Sequence, residues 1–210
     1  MRVLIILFSV IFVAYSYSQE IENFPFPGEL IISTKKDTFF VYEEVEVDIS
    51  LKNLSDQPVE IYTDKIIEYF IIHDSKDNIL KNTMFIDPLM PDPLSIGPNE
   101  ELKYFVSIKG RYRIPNEPDY YRISLKLPLS FPYNSYSTMY NHIIESNTLY
   151  IDVIEPKGEE YEPFWRYELA MKHLKAGRDS RACDNLKQIV EKFPNSFYAE
   201  LAKKELRKFK

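Results

Sequence analysis

The sequence predicts a mainly β protein, an antiparallel β-sandwich over residues 28–156 that ends in a C-terminal α-helical hairpin of two to three helices over 157–210. Three observations predict it. Several short segments alternate apolar and polar residues with period two, the rhythm of strands with one face buried. The 210-residue chain is poor in Gly (5) and rich in Pro (14) and Tyr (16), which suits extended segments joined by stiff turns. Beyond Glu155-Pro156-Lys157-Gly158 the apolar residues recur every three or four positions, the period of helices.

The chain opens on Met1-Arg2 and a run from Val3 to Tyr15 that is almost wholly apolar. That run has the length of a signal-peptide h-region and falls short of the roughly 20 residues of a membrane-spanning helix. Ser16 and Ser18 supply the small residues of a cleavage site before Gln19. A signal peptide over 1–18 and a linker over 19–27 are therefore expected, with an exported, periplasmic or extracellular product and no membrane span after cleavage. No Cys follows the run, so a lipid anchor is not expected.

The strands follow in order. Residues 29–34 and 38–41 read as opening strands. Val45, Val47, Ile49 and Leu51 alternate with Glu46, Asp48, Ser50 and Lys52, and a slip of one residue would bury the polar set, so the register is well specified. Asn53-Leu54-Ser55-Asp56-Gln57-Pro58 is a turn cluster, after which Val59 and Ile61 restart the alternation. Residues 69–73 and 78–80 flank a hairpin turn at Asp74-Ser75-Lys76-Asp77. Pro88, Pro91 and Pro93 forbid a regular ladder over 85–93. Gly97-Pro98-Asn99 is a turn leading to the inward set Leu102, Tyr104, Val106 and Ile108. Tyr121, Ile123, Leu125 and Leu127 form another such set, and Leu149, Ile151 and Val153 the last.

In the tail, Trp165, Leu169 and Lys172 share one helical row. Gly177 signals a helix stop, Asp179 and Ser196 are candidate N-caps, and Ala182, Leu186 and Ile189 mark the second helix. Ala199, Ala202 and Leu206 mark the third.

The 39–53 stretch, the Ile96-Gly97-Pro98-Asn99-Glu100 turn, Pro118-Asp119-Tyr120-Tyr121-Arg122-Ile123 and the closing 146–153 strand resemble bacterial secreted immunoglobulin-like sandwiches, the proteinase-inhibitor type in particular. The resemblance implies a corner hydrogen bond from Tyr120 or Tyr121. It also implies Gly-Glu where this chain has Tyr42-Glu43. The helical run with Ala170, Gly177, Ala182 and Pro194 is similar to one tetratricopeptide repeat and the first helix of another. One and a half repeats do not make an independent solenoid, so the helices must bury their apolar faces on the sandwich or on another chain.

Chemistry-bearing motifs are sparse. His73, His142 and His173 lie in separate segments without a second metal ligand at ligand spacing. No Gly-x-Ser-x-Gly elbow or phosphate-cradling loop occurs. Cys183 stands alone, so no internal disulfide forms, and a buried small hydrophobe is expected there. With a net charge of −6 and its cations gathered only at the last helix, the chain lacks a nucleic-acid face. No catalytic residue, cofactor or metal is expected, and hydrolase activity is disfavoured. The 130–141 loop is rich in Tyr, Ser and Asn, the composition of antibody contact loops. Its Phe131, Tyr133, Asn134, Tyr136 and Tyr140 are the candidate partner-binding residues, for a protein partner first and a glycan second. The function expected is a non-enzymatic binding or assembly module, with proteinase inhibition as the alternative implied by the resemblance.

Overall fold

The computed structural model describes residues 24–82, 93–108, 117–129 and 142–209, together with Tyr112 and Ile114. The expected signal segment 1–18 lies outside them, as do residues 85–92 and the whole 130–141 loop with Phe131, Tyr133, Asn134, Tyr136 and Tyr140.

Eleven strands are present among the described residues: β1 (Phe24–Pro25), β2 (Gly28–Ser33), β3 (Thr38–Phe40), β4 (Glu46–Asn53), β5 (Val59–Ile61), β6 (Phe70–His73), β7 (Leu94–Ile96), β8 (Glu101–Ser107), β9 (Asp119–Leu129), β10 (His142–Glu145) and β11 (Leu149–Ile154). One sheet has the order β2-β4-β8. The other is built on β9, which pairs with β6 on one side and with β10 and β11 on the other. β3 continues that sheet, running parallel to β11. β5 and β7 form a separate antiparallel pair. The opening segment thus contributes to both sheets, β2 to one and β3 to the other. The grouping of first, second and fifth principal strands against third, sixth and seventh is that of an immunoglobulin-like sandwich.

The period-two sets supply the interior. Val47, Ile49 and Leu51 of β4 and Tyr121, Ile123, Leu125 and Leu127 of β9 are all buried, within a single hydrophobic cluster that includes both sheets. Burying each such side chain contributes on the order of 1.5–3 kcal/mol. A 3₁₀ helix over Thr63–Tyr69 drops Ile66 and Ile67 into the same core. Between β10 and β11 the ladder is interrupted at 146–148. There the Ser146 hydroxyl takes over from a backbone carbonyl, accepting from the Leu125 amide at 2.9 Å.

Neither Tyr120 nor Tyr121 makes the expected corner bond. Tyr121 is buried in the sandwich and Tyr120 lies on its outer face. Tyr112 makes a long-range bond of another kind: its buried hydroxyl lies 2.5 Å from the Ile67 carbonyl and 2.9 Å from that of Phe70. The hairpin at 74–77 forms as expected, with the Asp74 carboxylate accepting from the Lys76 and Asn78 amides.

The tail comprises α1 (Tyr161–Lys175), α2 (Asp179–Lys192) and α3 (Phe197–Leu206), followed by a 3₁₀ turn at Arg207–Phe209. Gly177 takes φ +66° and closes α1, with the Arg178 amide donating to the His173 carbonyl at 2.9 Å. Ser196 caps α3, accepting from the Ala199 amide at 3.0 Å. Asp179 is the first residue of α2 rather than its cap, and its carboxylate favours the positive end of the helix dipole. Trp165 points to solvent; the buried stripe of α1 is Phe164, Tyr167 and Ala170. Cys183 is half-buried rather than buried.

The tail packs on the sandwich through the turn after β3. Phe40 meets Phe197 with ring centroids 6.3 Å apart, and Tyr42 meets Tyr167 edge-on at 5.1 Å. The Val41 carbonyl accepts from the buried Tyr198 hydroxyl at 3.0 Å. The Tyr42 hydroxyl donates to the Glu168 carboxylate of α1. Helices and sheets therefore share one core, in which Phe164, Tyr167, Leu186, Ile189 and Tyr198 join the strand residues.

Candidate functional site

The three-stranded sheet β2-β4-β8 carries the most distinctive open surface among the described residues. On its outer face the register sets two cross-strand rows: Ile31, Ser50 and Lys103, and Ser33, Asp48 and Phe105. Small Ser50 and short Asp48 occupy the central strand, while larger side chains stand on either flank in Ile31, Lys103 and Phe105. The face is consequently concave, a trough of about 350 Å³ lined by these residues with Ile49 and Tyr104. The volume is at the lower end of ligand-site sizes.

Its apolar part is exposed at a cost. Phe105 is 68% exposed and Ile31 43%, on the side of the sheet where Glu29, Glu46, Lys52 and Glu101 are otherwise polar. Two large exposed apolar groups on the flanking strands of one concave face, rimmed by polar groups, mark it as a candidate contact surface. The polar rim is ordered. The Ser50 hydroxyl donates to Glu101 at 2.7 Å, and Lys103 lies 3.3 Å from the same carboxylate. The Ser50 hydrogen bond, and Lys103 after it, hold the Glu101 carboxyl below its ordinary range.

The two edges of this sheet differ. On β2, Asn147 closes the edge: its Oδ1 accepts from the Ile32 amide at 2.8 Å and its Nδ2 donates to the Ile32 carbonyl at 3.0 Å. The break between β10 and β11 places Asn147 to do this. On β8, hydrogen bonds at both ends set the phase, Asn53 N–H to Glu100 O at 3.0 Å and Ile108 N–H to Val45 O at 3.0 Å. Even-numbered residues of β8 therefore face β4, and the amides and carbonyls of Glu101, Lys103, Phe105 and Ser107 point outward. No described residue pairs with them.

A second surface lies on the other sheet. Tyr120 and Tyr150 stack at 5.9 Å with planes 21° apart. Next to them Arg122 pairs with Asp77, whose carboxylate also lies 3.0 Å from His73 Nδ1. The three histidines are half-buried in separate places, and among the described residues no cluster of His, Cys, Asp or Glu could hold a metal ion. Nor is any helix among them long and apolar enough to cross a membrane. The apolar faces of the tail, expected to be buried on the sandwich or on another chain, pack on the sandwich. The trough was missed in the sequence because its residues read as the wet side of strands; Phe105, apolar among Lys103, Ser107 and Lys109, was the one visible signal.

No protein-family model matches the chain, and no curated protein does. Among solved structures it is similar to the structural-genomics target SoR45, with 10% identity and a TM-score of 0.40 over 65% of this chain and 96% of that one. It is also similar to the CARDB domain of PF1109 from Pyrococcus furiosus, solved with di-metal ions, at 17% identity and a TM-score of 0.32 over 64% and 97%. A third is Spo0M, a sporulation control protein from Bacillus subtilis, at 13% identity and a TM-score of 0.32 over 70% and 56%. These likenesses are remote, and the assignment of the sandwich rests on the strand order itself.

Proposed function

We propose that this protein is an exported, non-enzymatic binding or assembly module that takes a partner protein on the outer face of β2-β4-β8. The observation that carries the reading is the concave face itself, with exposed Phe105 and Ile31 over small Ser50 and Asp48. An aromatic anchor across the trough from an aliphatic one, with Asp48 and Lys103 between and beside them for polar pairing, is the make-up of a protein contact. The tail, with Ala170 and Ala182 buried, reads as a tetratricopeptide-like piece that braces the sandwich. Export rests on the apolar leader before Gln19.

The test places a photoreactive phenylalanine at Ile31 in the full chain within its native cells, with Lys126 on the other sheet as the control position. Adducts with another protein from Ile31 and none from Lys126 are expected. Equal recovery from both positions, or none from Ile31, would remove the face from consideration. Mass spectrometry of the mature chain should find Gln19 at its N-terminus; a chain retaining Met1 would refute export by cleavage.

A glycan on Tyr150 is the second reading, favoured by the stacked, exposed tyrosine pair. It predicts binding on a glycan array that Tyr150→Ala abolishes.

A further inference from the structure

We infer that two copies of this chain join through β8, pairing antiparallel across a two-fold axis at Tyr104 into one continuous six-stranded sheet, β2-β4-β8 and its symmetry mate. The inference concerns the edge of the sheet whose face is proposed above as the partner surface, and it stands or falls separately from that reading.

Four outward amides and four outward carbonyls line β8 over seven residues. An open edge of this kind is a template for another strand. Natural edges are blunted by proline, by bulges or by a covering group. β2 has such a group in Asn147; Glu101–Ser107 has neither proline nor bulge, and only Glu101 and Lys103 as charges.

The sequence of β8 also selects the second copy and its register. Outward groups pair only when odd residues meet odd residues, so the candidate two-fold centres lie at successive positions along the strand. A centre at Leu102 sets Glu101 against Lys103 but runs into Pro98, which has no amide, and Asn99, held at φ +61°. A centre at Lys103 places two lysines face to face. A centre at Phe105 brings Lys103 against Ser107 and sets Glu101 opposite Lys109, beyond the end of β8. A centre at Tyr104 pairs all seven residues: Glu101 with Ser107, Leu102 with Val106, Lys103 with Phe105 and Tyr104 with itself. It has no like-charge pair. It sets each Lys103 ammonium beside the exposed Phe105 ring of the other copy, a cation–π arrangement. The rim of each trough then continues into the next. A seven-residue edge is smaller than a standard interface, so the association is weak, on the order of 10–500 µM.

Sedimentation of the mature chain should show a weight-average mass that rises from monomer towards dimer across that range. Lys103→Pro removes an outward amide that β4 does not use, so it should keep the fold and hold the chain monomeric. In a Cys183→Ser background, Tyr104→Cys should form a disulfide-linked dimer, because facing residues of a non-hydrogen-bonded pair approach to about 4.5 Å between Cα atoms. Leu102→Cys, whose partner is Val106, should not. A wild-type chain that stays monomeric to about 0.5 mM, a Lys103→Pro chain that still dimerises, or equal cross-linking of both cysteine variants would overturn the inference. A monomeric wild type would leave the partner face standing, whereas a dimer without Ile31 adducts would remove the face and keep the edge.

Discussion

Tyr42 holds φ +72°, a left-handed conformation that costs a bulky residue about 1–2 kcal/mol. Its neighbours explain why it is kept: the ring packs on Tyr167 and the hydroxyl donates to Glu168, so the strained turn is also where α1 is pinned. Glycine would relax this turn and lose the pin. Tyr42→Phe should therefore lower stability by about 1–2 kcal/mol, read by urea denaturation. An unchanged midpoint would show that the hydroxyl contributes nothing. Asn53 has a comparable role at the other end of β4. It is fully buried; its Nδ2 lies within 3.1 Å of the Gln57, Ile96 and Gly97 carbonyls, and its Oδ1 accepts from the Ser55 amide at 2.9 Å. Asn53→Ala strands several buried polar groups and should cost about 2–4 kcal/mol. A loss below about 0.5 kcal/mol would mean that water replaces the side chain.

At the scale of the element, the strands show where sequence was a sufficient guide. Along residues 46–52 of β4 and 121–127 of β9 polar and apolar residues alternate without a break, and both strands bury the residues expected. What was not legible depends on contacts distant in sequence. Tyr112 finds its carbonyls 45 and 42 residues away, and Asn147 clasps β2 at a separation of 115. No local pattern announces such pairs. The row of Trp165, Leu169 and Lys172 on α1 is not its buried one: Trp165 is exposed, because Phe164, Tyr167 and Ala170 form the stripe that meets the core. The candidate site divided in the same way. The 130–141 loop drew attention by composition and lies outside the described residues, while the trough needs three strands in register before it exists. Helix caps are the opposite case, being wholly local. Ser196→Ala should cost about 1 kcal/mol, measured as a fall in Tm, because the Ala199 amide loses its acceptor at the buried start of α3. No change in Tm would assign the helix start to packing alone.

For the whole molecule, tyrosine burial links the fold to pH. Tyr42, Tyr112, Tyr121, Tyr167 and Tyr198 are all held above their usual value, with burial the largest cause in each, and Tyr112 is pushed from 10.0 up to about 12. A raised pKa in the folded state means that stability is whole below the unfolded value and is lost as pH rises towards the folded one. Each of these phenols should remove about 1.4 kcal/mol per pH unit across its window. Urea midpoints should thus be level to about pH 9.5 and fall steeply between about pH 10 and 12, with a share of tyrosinate absorbance appearing only on unfolding. Full ionisation of every tyrosine near pH 10 with the fold intact would contradict a single core shared by sheets and tail. The central structural claim, however, is that the β8 edge of β2-β4-β8 is open and takes a second copy of the chain, and residue-resolved amide exchange along β8 tests it most directly. In dilute monomer the amides of Leu102, Tyr104 and Val106 should exchange slowly and those of Lys103, Phe105 and Ser107 fast, the fast set becoming protected as concentration rises. Uniform protection of all six in the dilute monomer, or no change on concentration, would contradict it.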